Sequence, residues 1–321
     1  MSRAKGLGAG LLVLTALIWG TAFVAQSMGM DHVGPCAFNA ARNFIGCAAL
    51  LPVIFVSGRR RTGALEKSGA KAPSAASFAW RNPVLLTGGV LCGLFLGVAS
   101  LLQQAGLQST GAGKAGFLTS LYIVLVPVLG IFLGRRAGGK VWLAVALALA
   151  GAYFLSVAGN EGAWGMGLGD ALVLASAVFF SFHILVIDRF SPRVDCVKLS
   201  CIQFFVAGLL SAVLAIALES GSFYWQDLLA SWGPLLYTGV LSSGVAYTLQ
   251  IVGQKRVQPT VASLIMSLES VFAAVSGWLV LGQPLSGREL LGCGLVFAGV
   301  VLAQIGGQRE PKSELGPKEG Q

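Results

Sequence analysis

The stretch "SLIMSLESVFAAVSG", Ser263 to Gly277, places Glu269 inside an apolar run that begins near Pro259. A carboxylate at the centre of a membrane helix is expensive. Either the run does not cross a bilayer, or Glu269 turns toward an interior. On a helical wheel the run sorts into three faces. Leu264, Leu268, Val271, Val275 and Trp278 form a bulky face, the expected lipid side. Ser263, Ser267, Ser270, Ala274 and Gly277 form a small-residue stripe suited to close helix contact. Ala262, Met266, Glu269, Ala273 and Ser276 lie roughly opposite the bulky face, so Glu269 points into a bundle.

The rest of the chain agrees that there is a bundle. Of 321 residues, 55% are hydrophobic and 11% charged, and mean hydropathy is +0.78. A soluble domain carries about 25% charged residues. Apolar runs occupy 6–28, 34–57, 83–106, 110–133, 140–158, 168–188, 198–218, 233–253, 259–281 and 286–306. Each is long enough to cross a hydrocarbon layer of about 30 Å as a helix. The 44 glycines fit close helix packing. The first run lacks a cleavage site and reads as a span.

Basic residues orient these ten spans. Nineteen of the 22 fall on one side: before span 1, in the connections 2–3, 4–5, 6–7 and 8–9, and in the tail. Lys114 and Arg288 lie at helix starts on the other side, and Arg42 lies inside span 2. The positive-inside rule then puts both termini in the cytoplasm of a multi-pass cell-membrane protein. The net charge of +9 is a topology signal and not a nucleic-acid surface. Residues 58–82 read as a flexible cytoplasmic loop with Trp80 as an interfacial anchor, and 307–321 as a disordered tail.

The two halves resemble each other. "LVLTALIWGTAFVAQ" (12–26) aligns with "LVLASAVFFSFHILV" (172–186), and "ARNFIGCAALL" (41–51) with "IQFFVAGLLSA" (202–212). "GVLCGLFLGVASLLQQAGLQST" (89–110) aligns with "GVLSSGVAYTLQIVGQKRVQPT" (239–260). "LTSLYIV" (118–124) aligns with "LESVFAA" (268–274), and "LALAGAYFL" (147–155) with "LVFAGVVLA" (295–303). Five matches in one order indicate a repeat, 6–158 and 168–306. Each copy holds five spans, and an odd number inverts the second copy. The expected fold is all-α integral membrane: ten transmembrane helices in two inverted five-helix repeats. That architecture belongs to secondary transporters, with a site at the repeat interface.

The residues "LIWGTAFVAQ", "FNAARNFIG", "KAGFLTSLYIVLVP" and the long C-terminal stretch from Gln258 through "GWLVLGQPLSGRELLGCGLVFAGV" resemble the drug/metabolite transporter superfamily, in particular its EamA-type exporters. The resemblance covers about residues 6–306. Ser270 and Gln283 stand where the family pattern often has Pro and Glu. The resemblance implies transport of small metabolites, often amino acids or related compounds, usually outward.

Several polar residues within spans are site candidates. Glu269 reads either as a packing carboxylate or as a group that binds a substrate amine or a proton; burial disfavours the charged form of a carboxyl in general. Arg42 reads as snorkelling, as half of an ion pair, or as the partner of a substrate carboxylate. Together the two offer one end each to a zwitterion. Trp19, Tyr122 and Tyr247 are packing residues or cavity aromatics. Gln203, Gln103 and Gln250 need partners away from lipid. His183 is an interior contact or cavity residue; its H-x4-D spacing to Asp188 puts the two about 140° apart on a helix.

Other chemistry is not indicated. Cys36, Cys47, Cys92, Cys196, Cys201 and Cys293 show neither CxxC spacing nor a His cluster, so no metal or disulfide framework is expected. There is no phosphate-binding GxxxxGK[ST] loop. The expected cofactor set is empty. The expected partners are a small-molecule substrate, the lipid bilayer and protons, without nucleic acid. Import in place of export, and a membrane-embedded enzyme, are the alternative readings.

Overall fold

The computed structural model describes residues 3–30, 33–68, 80, 82–110, 112–134, 137–156, 167–219, 225–281 and 286–306. The expected tail 307–321, residues 69–79 of the expected loop, His32 and the Lys114 side chain lie outside the described residues. The protein is an all-helical membrane bundle. Among the described residues, nine helical segments are long and apolar enough to cross a membrane, and Gly139–Leu155 is a shorter apolar helix.

The helices begin where local chemistry starts them. α1 is Arg3–Gly29 and α2 is Pro35–Ser68, so helix replaces the first part of the expected loop 58–82. The N-terminus of α2 is capped from another helix: the Glu219 carboxylate accepts from the amides of Cys36 (2.8 Å) and Ala37 (2.9 Å). α3, Pro83–Leu107, opens with Pro at its first turn and Asn82 Oδ1 accepting from the Val84 amide. α6 is Gly139–Ser156, α7 Leu168–Phe190 and α8 Cys196–Leu218, the last capped by Asp195. α14, Gly287–Gly306, starts with a reciprocal Ser286–Glu289 capping box. Trp80 stacks under the Lys198 ammonium, 5.3 Å from the ring centroid.

Three expected spans are not continuous α-helices. The fourth is split into α4 (Ala112–Ser120) and α5 (Tyr122–Phe132) at Leu121. The ninth is split into α12 (Pro259–Met266) and α13 (Leu268–Leu281) at Ser267. At both breaks the backbone tightens to i−3 bonding: Leu121 N to Leu118 O, and Ser270 N to Ser267 O. Serines flank both breaks and divert carbonyls. Ser120 donates to Phe117 O, Ser267 to Leu264 O and Ser270 to Ser267 O, each at 2.8 Å. The eighth span consists of α10 (Trp232–Leu236), a π-helical stretch Tyr237–Tyr247 and α11 (Thr248–Gln254), preceded by the short α9 (Trp225–Ala230).

The bulky face assigned to lipid in the ninth span is corrected in its first half. Leu264 is fully buried and Leu268 is 4% exposed, whereas Trp278 is half exposed. The reason is position: α12 runs through the middle of the bundle, packed on α1, α5, α6, α7 and α14, so all its sides meet protein. Only the outer part of α13 reaches the periphery.

The main helix contacts run between the two sequence halves. α2 lies along α8, and α6 along α14; these are counterparts in the internal alignment. α1 packs on the π stretch, α11 and α13, while α7 packs on α3, α4 and α5. The α6–α14 contact depends on missing side chains. A Cβ at Gly151 would sit 2.6 Å from Gly292 O, and one at Gly292 would sit 2.7 Å from Gly151 O. Backbone therefore meets backbone, the close approach that small residues permit in lipid. Gly294, on the same helix, has open space around it. Gly151→Ala is expected to cost about 1–3 kcal/mol through overpacking. Gly294→Ala is expected to stay within about 0.5 kcal/mol. Thermal unfolding of the two purified variants in detergent measures the difference.

Candidate functional site

The interrupted helices converge on one cavity. Tyr122 is the first residue of α5, just after the break at Leu121, and Glu269 is the second residue of α13, just after the break at Ser267. Both are thus presented at the starts of half-helices. A carboxylate in a first helical turn is favoured by the free amides there. The two side chains meet: Tyr122 OH donates to Glu269 Oε1 at 3.0 Å. Glu269 is 4% exposed and Tyr122 3%.

Facing them is Arg42 from α2, 5% exposed. Its Nε donates to Asn39 Oδ1 (2.8 Å) and its Nη1 to Gln26 Oε1 (2.7 Å). Both acceptors are neutral. Among the described residues no carboxylate comes within ion-pair distance of Arg42, and no cation within that distance of Glu269. Arg42 and Glu269 therefore share one cavity without joining each other. Tyr247 lies within electrostatic reach of both.

The remaining wall is aromatic and amide. The Trp19 and Tyr247 rings lie 4.6 Å apart, and Trp19 Nε1 donates to Ser242 O in the π stretch at 3.3 Å. The π-helical winding turns Ser242 and Tyr247 toward the cavity and α1, a use of π-helix common at functional sites. Gln103 donates to Thr119 Oγ1 at 3.0 Å, and Gln250 presents a buried carbonyl oxygen with no partner among the described residues. Phe23, Phe180 and Met266 supply apolar surface.

Eight of the nine residues expected from sequence line this cavity: Trp19, Arg42, Gln103, Tyr122, His183, Tyr247, Gln250 and Glu269. Gln203 does not. It stands behind, fully buried on α8, with Oε1 at 3.1 Å from His183 Nε2, so it helps to hold the ring's orientation. Asp188 is not part of this group. Among the described residues no cluster of ligands for a metal occurs.

The family model described as EamA-like transporter family matches residues 6–157 and again 167–304. The chain belongs to the EamA-like transporter family. It is therefore a multi-pass transporter of the drug/metabolite superfamily, built to move a small molecule through lipid. A protein of Archaeoglobus fulgidus named as an uncharacterized transporter is 31% identical, over 92% of this chain and 84% of its own. The threonine/homoserine exporter RhtA of Escherichia coli is 26% identical, over 94% of this chain and 92% of its own. A protein of known crystal structure shares the fold, with a TM-score of 0.71 at 20% identity, covering 94% of this chain and 97% of that one.

In this EamA-like transporter, sequence reasoning passed over Asn39 and Gln26, the two residues that hold Arg42. Asn39, Arg42 and Asn43 sit at i, i+3 and i+4, one helix face, and that spacing was a readable signal. Gln26 carries no such signal, because its partner lies across a helix connection. The Tyr122–Glu269 bond is separable by mutation. Tyr122→Phe leaves a buried carboxylate oxygen without its donor and is expected to cost about 1–3 kcal/mol. In a Glu269→Gln background the same change is expected to cost less. A double-mutant cycle of thermal unfolding reads the coupling.

Proposed function

We propose that this transporter exports a small zwitterionic metabolite of the amino-acid class by alternating access between two inverted five-helix halves, with both termini cytoplasmic. One observation carries the reading. Arg42 and Glu269 line a single buried cavity, and their hydrogen-bond partners among the described residues are all neutral. A buried charge without a counter-charge is costly. A zwitterion supplies both missing partners, its carboxylate to Arg42 and its ammonium to Glu269. Trp19 and Tyr247 offer a face for the cargo's carbon skeleton.

The mirrored packing supports the inverted halves: the counterpart pairs α2/α8 and α6/α14 touch, and α1 against the π stretch corresponds to α7 against α3. The excess of Arg and Lys on one side supports cytoplasmic termini. The name of the RhtA relative supports an amino-acid cargo and outward transport. Glu269 is also the proposed coupling group, carrying a proton when cargo is absent; Tyr122, Tyr247, Arg42 and His183 face the same space.

The test is transport in proteoliposomes. Threonine and homoserine, within a wider amino-acid panel, are expected to exchange in counterflow. Arg42→Gln is expected to raise the half-saturation concentration about ten- to a hundredfold, the scale of one charge-assisted contact. Glu269→Gln is expected to fold and to lose transport driven by a pH gradient. No exchange of any amino acid would remove the cargo class. Full gradient-driven transport by Glu269→Gln would remove the coupling role.

A further inference from the structure

We infer that Asn39 and Gln26 form a neutral cradle that turns Arg42 into a carboxylate-binding subsite, with Asn39 the positioning residue. The inference deepens the proposed amino-acid reading and needs from it only that the cavity receives a carboxylate.

The amide of Asn39 has its orientation fixed. Its Nδ2 donates to Ser100 Oγ on α3 (3.0 Å) and to Ser211 Oγ on α8 (2.8 Å). Those two hydroxyls spend their own protons on Gly97 O and Ala207 O, so each meets Asn39 as an acceptor. A flipped amide would set oxygen against oxygen. Oδ1 is thereby turned to the Arg42 Nε, at 2.8 Å. Asn39 is fully buried and spans α2, α3 and α8, so Arg42 is tied to three helices through one side chain.

The choice of amide matters for charge. Aspartate has nearly the same shape, and at position 39 it would pair with the guanidinium and cancel it. Glutamate at position 26 would do the same from α1. Asparagine and glutamine solvate the guanidinium with carbonyl oxygens and leave its full positive charge. Nη2 has no partner among the described residues, and Arg42 lines the cavity. A guanidinium fork matches a carboxylate in geometry as well as charge. The site thus selects for a planar anionic group and against its neutral amide analogue.

The experiment uses the full-length protein in detergent, with sodium L-lactate as the carboxylate probe and lactamide as its neutral isostere. Ionic strength is held constant, and thermal unfolding is followed against probe concentration. Lactate is expected to stabilise the wild type and lactamide to do so far less. Asn39→Asp and Gln26→Glu are each expected to raise the lactate midpoint roughly tenfold or more, the scale of one neutralised charge contact. Gln26→Glu leaves the Asn39 links to α3 and α8 intact, so its loss of lactate response reports charge and not folding. Equal stabilisation of the wild type by lactate and lactamide would overturn the inference. So would an unchanged lactate midpoint in both variants. Failure of threonine or homoserine to be transported would strike the cargo reading alone.

Discussion

Hydrocarbon offers no hydrogen-bond partner, and that constraint places every polar side chain in this bundle. A guanidinium or carboxylate within a span must find an interior. Arg42 comes from the second helix and Glu269 from the ninth span, and both reach the same cavity. The cavity in turn requires helices that do not pack flush. α4/α5 and α12/α13 provide this by breaking beside it. α6 and α14 provide the opposite: a glycine-lined contact, away from the cavity, that holds backbone against backbone.

The breaks explain why the site's polar groups are so well placed. An unbroken helix would bury Glu269 among backbone bonds already satisfied. Starting a new helix at Leu268 places the carboxylate in a first turn, and starting one at Tyr122 brings its phenol to 3.0 Å from that carboxylate. Irregular backbone is tolerated at membrane depth only where protein or a cavity surrounds it. α12 meets that condition, since the residues described there are nearly all buried.

Much of this was legible in the sequence, for physical reasons that also mark its limit. Long apolar runs and the cost of a charge in lipid turn Glu269 inward, whereas for Arg42 the sequence also allows snorkelling, and the structure buries it. For Tyr122, Trp19 and Tyr247 the sequence leaves packing and cavity roles both open, and the structure puts all three on the cavity wall. The helix breaks were not legible, because neither Leu121 nor Ser267 is a glycine or proline; serine hydroxyls bond to nearby carbonyls beside both breaks. Leu264 was misread for a related reason. Helical periodicity identifies a bulky face, but a helix at the centre of a bundle has no lipid side. Gln203 was expected to need a partner away from lipid, and only the structure shows that this partner is His183.

The internal alignment adds a constraint on how the charges are used. Arg42 aligns with Gln203, and Glu269 aligns with Thr119. Each charge thus has a neutral counterpart, and the cation and the anion belong to different halves of the chain. Symmetry of the scaffold does not require this; two like charges would be the symmetric outcome, and they would repel across the cavity. With one charge per half, a zwitterion bound at both ends bridges the halves, and a neutral or singly charged molecule engages only one. On the proposed reading, binding energy from such a cargo is available to hold the two halves together. The same logic applies to Gly20 and Phe180, which also align. Gly20 lets α1 press onto the α13 backbone, where a Cβ would sit 2.6 Å from Glu269 O, whereas Phe180 lines the cavity.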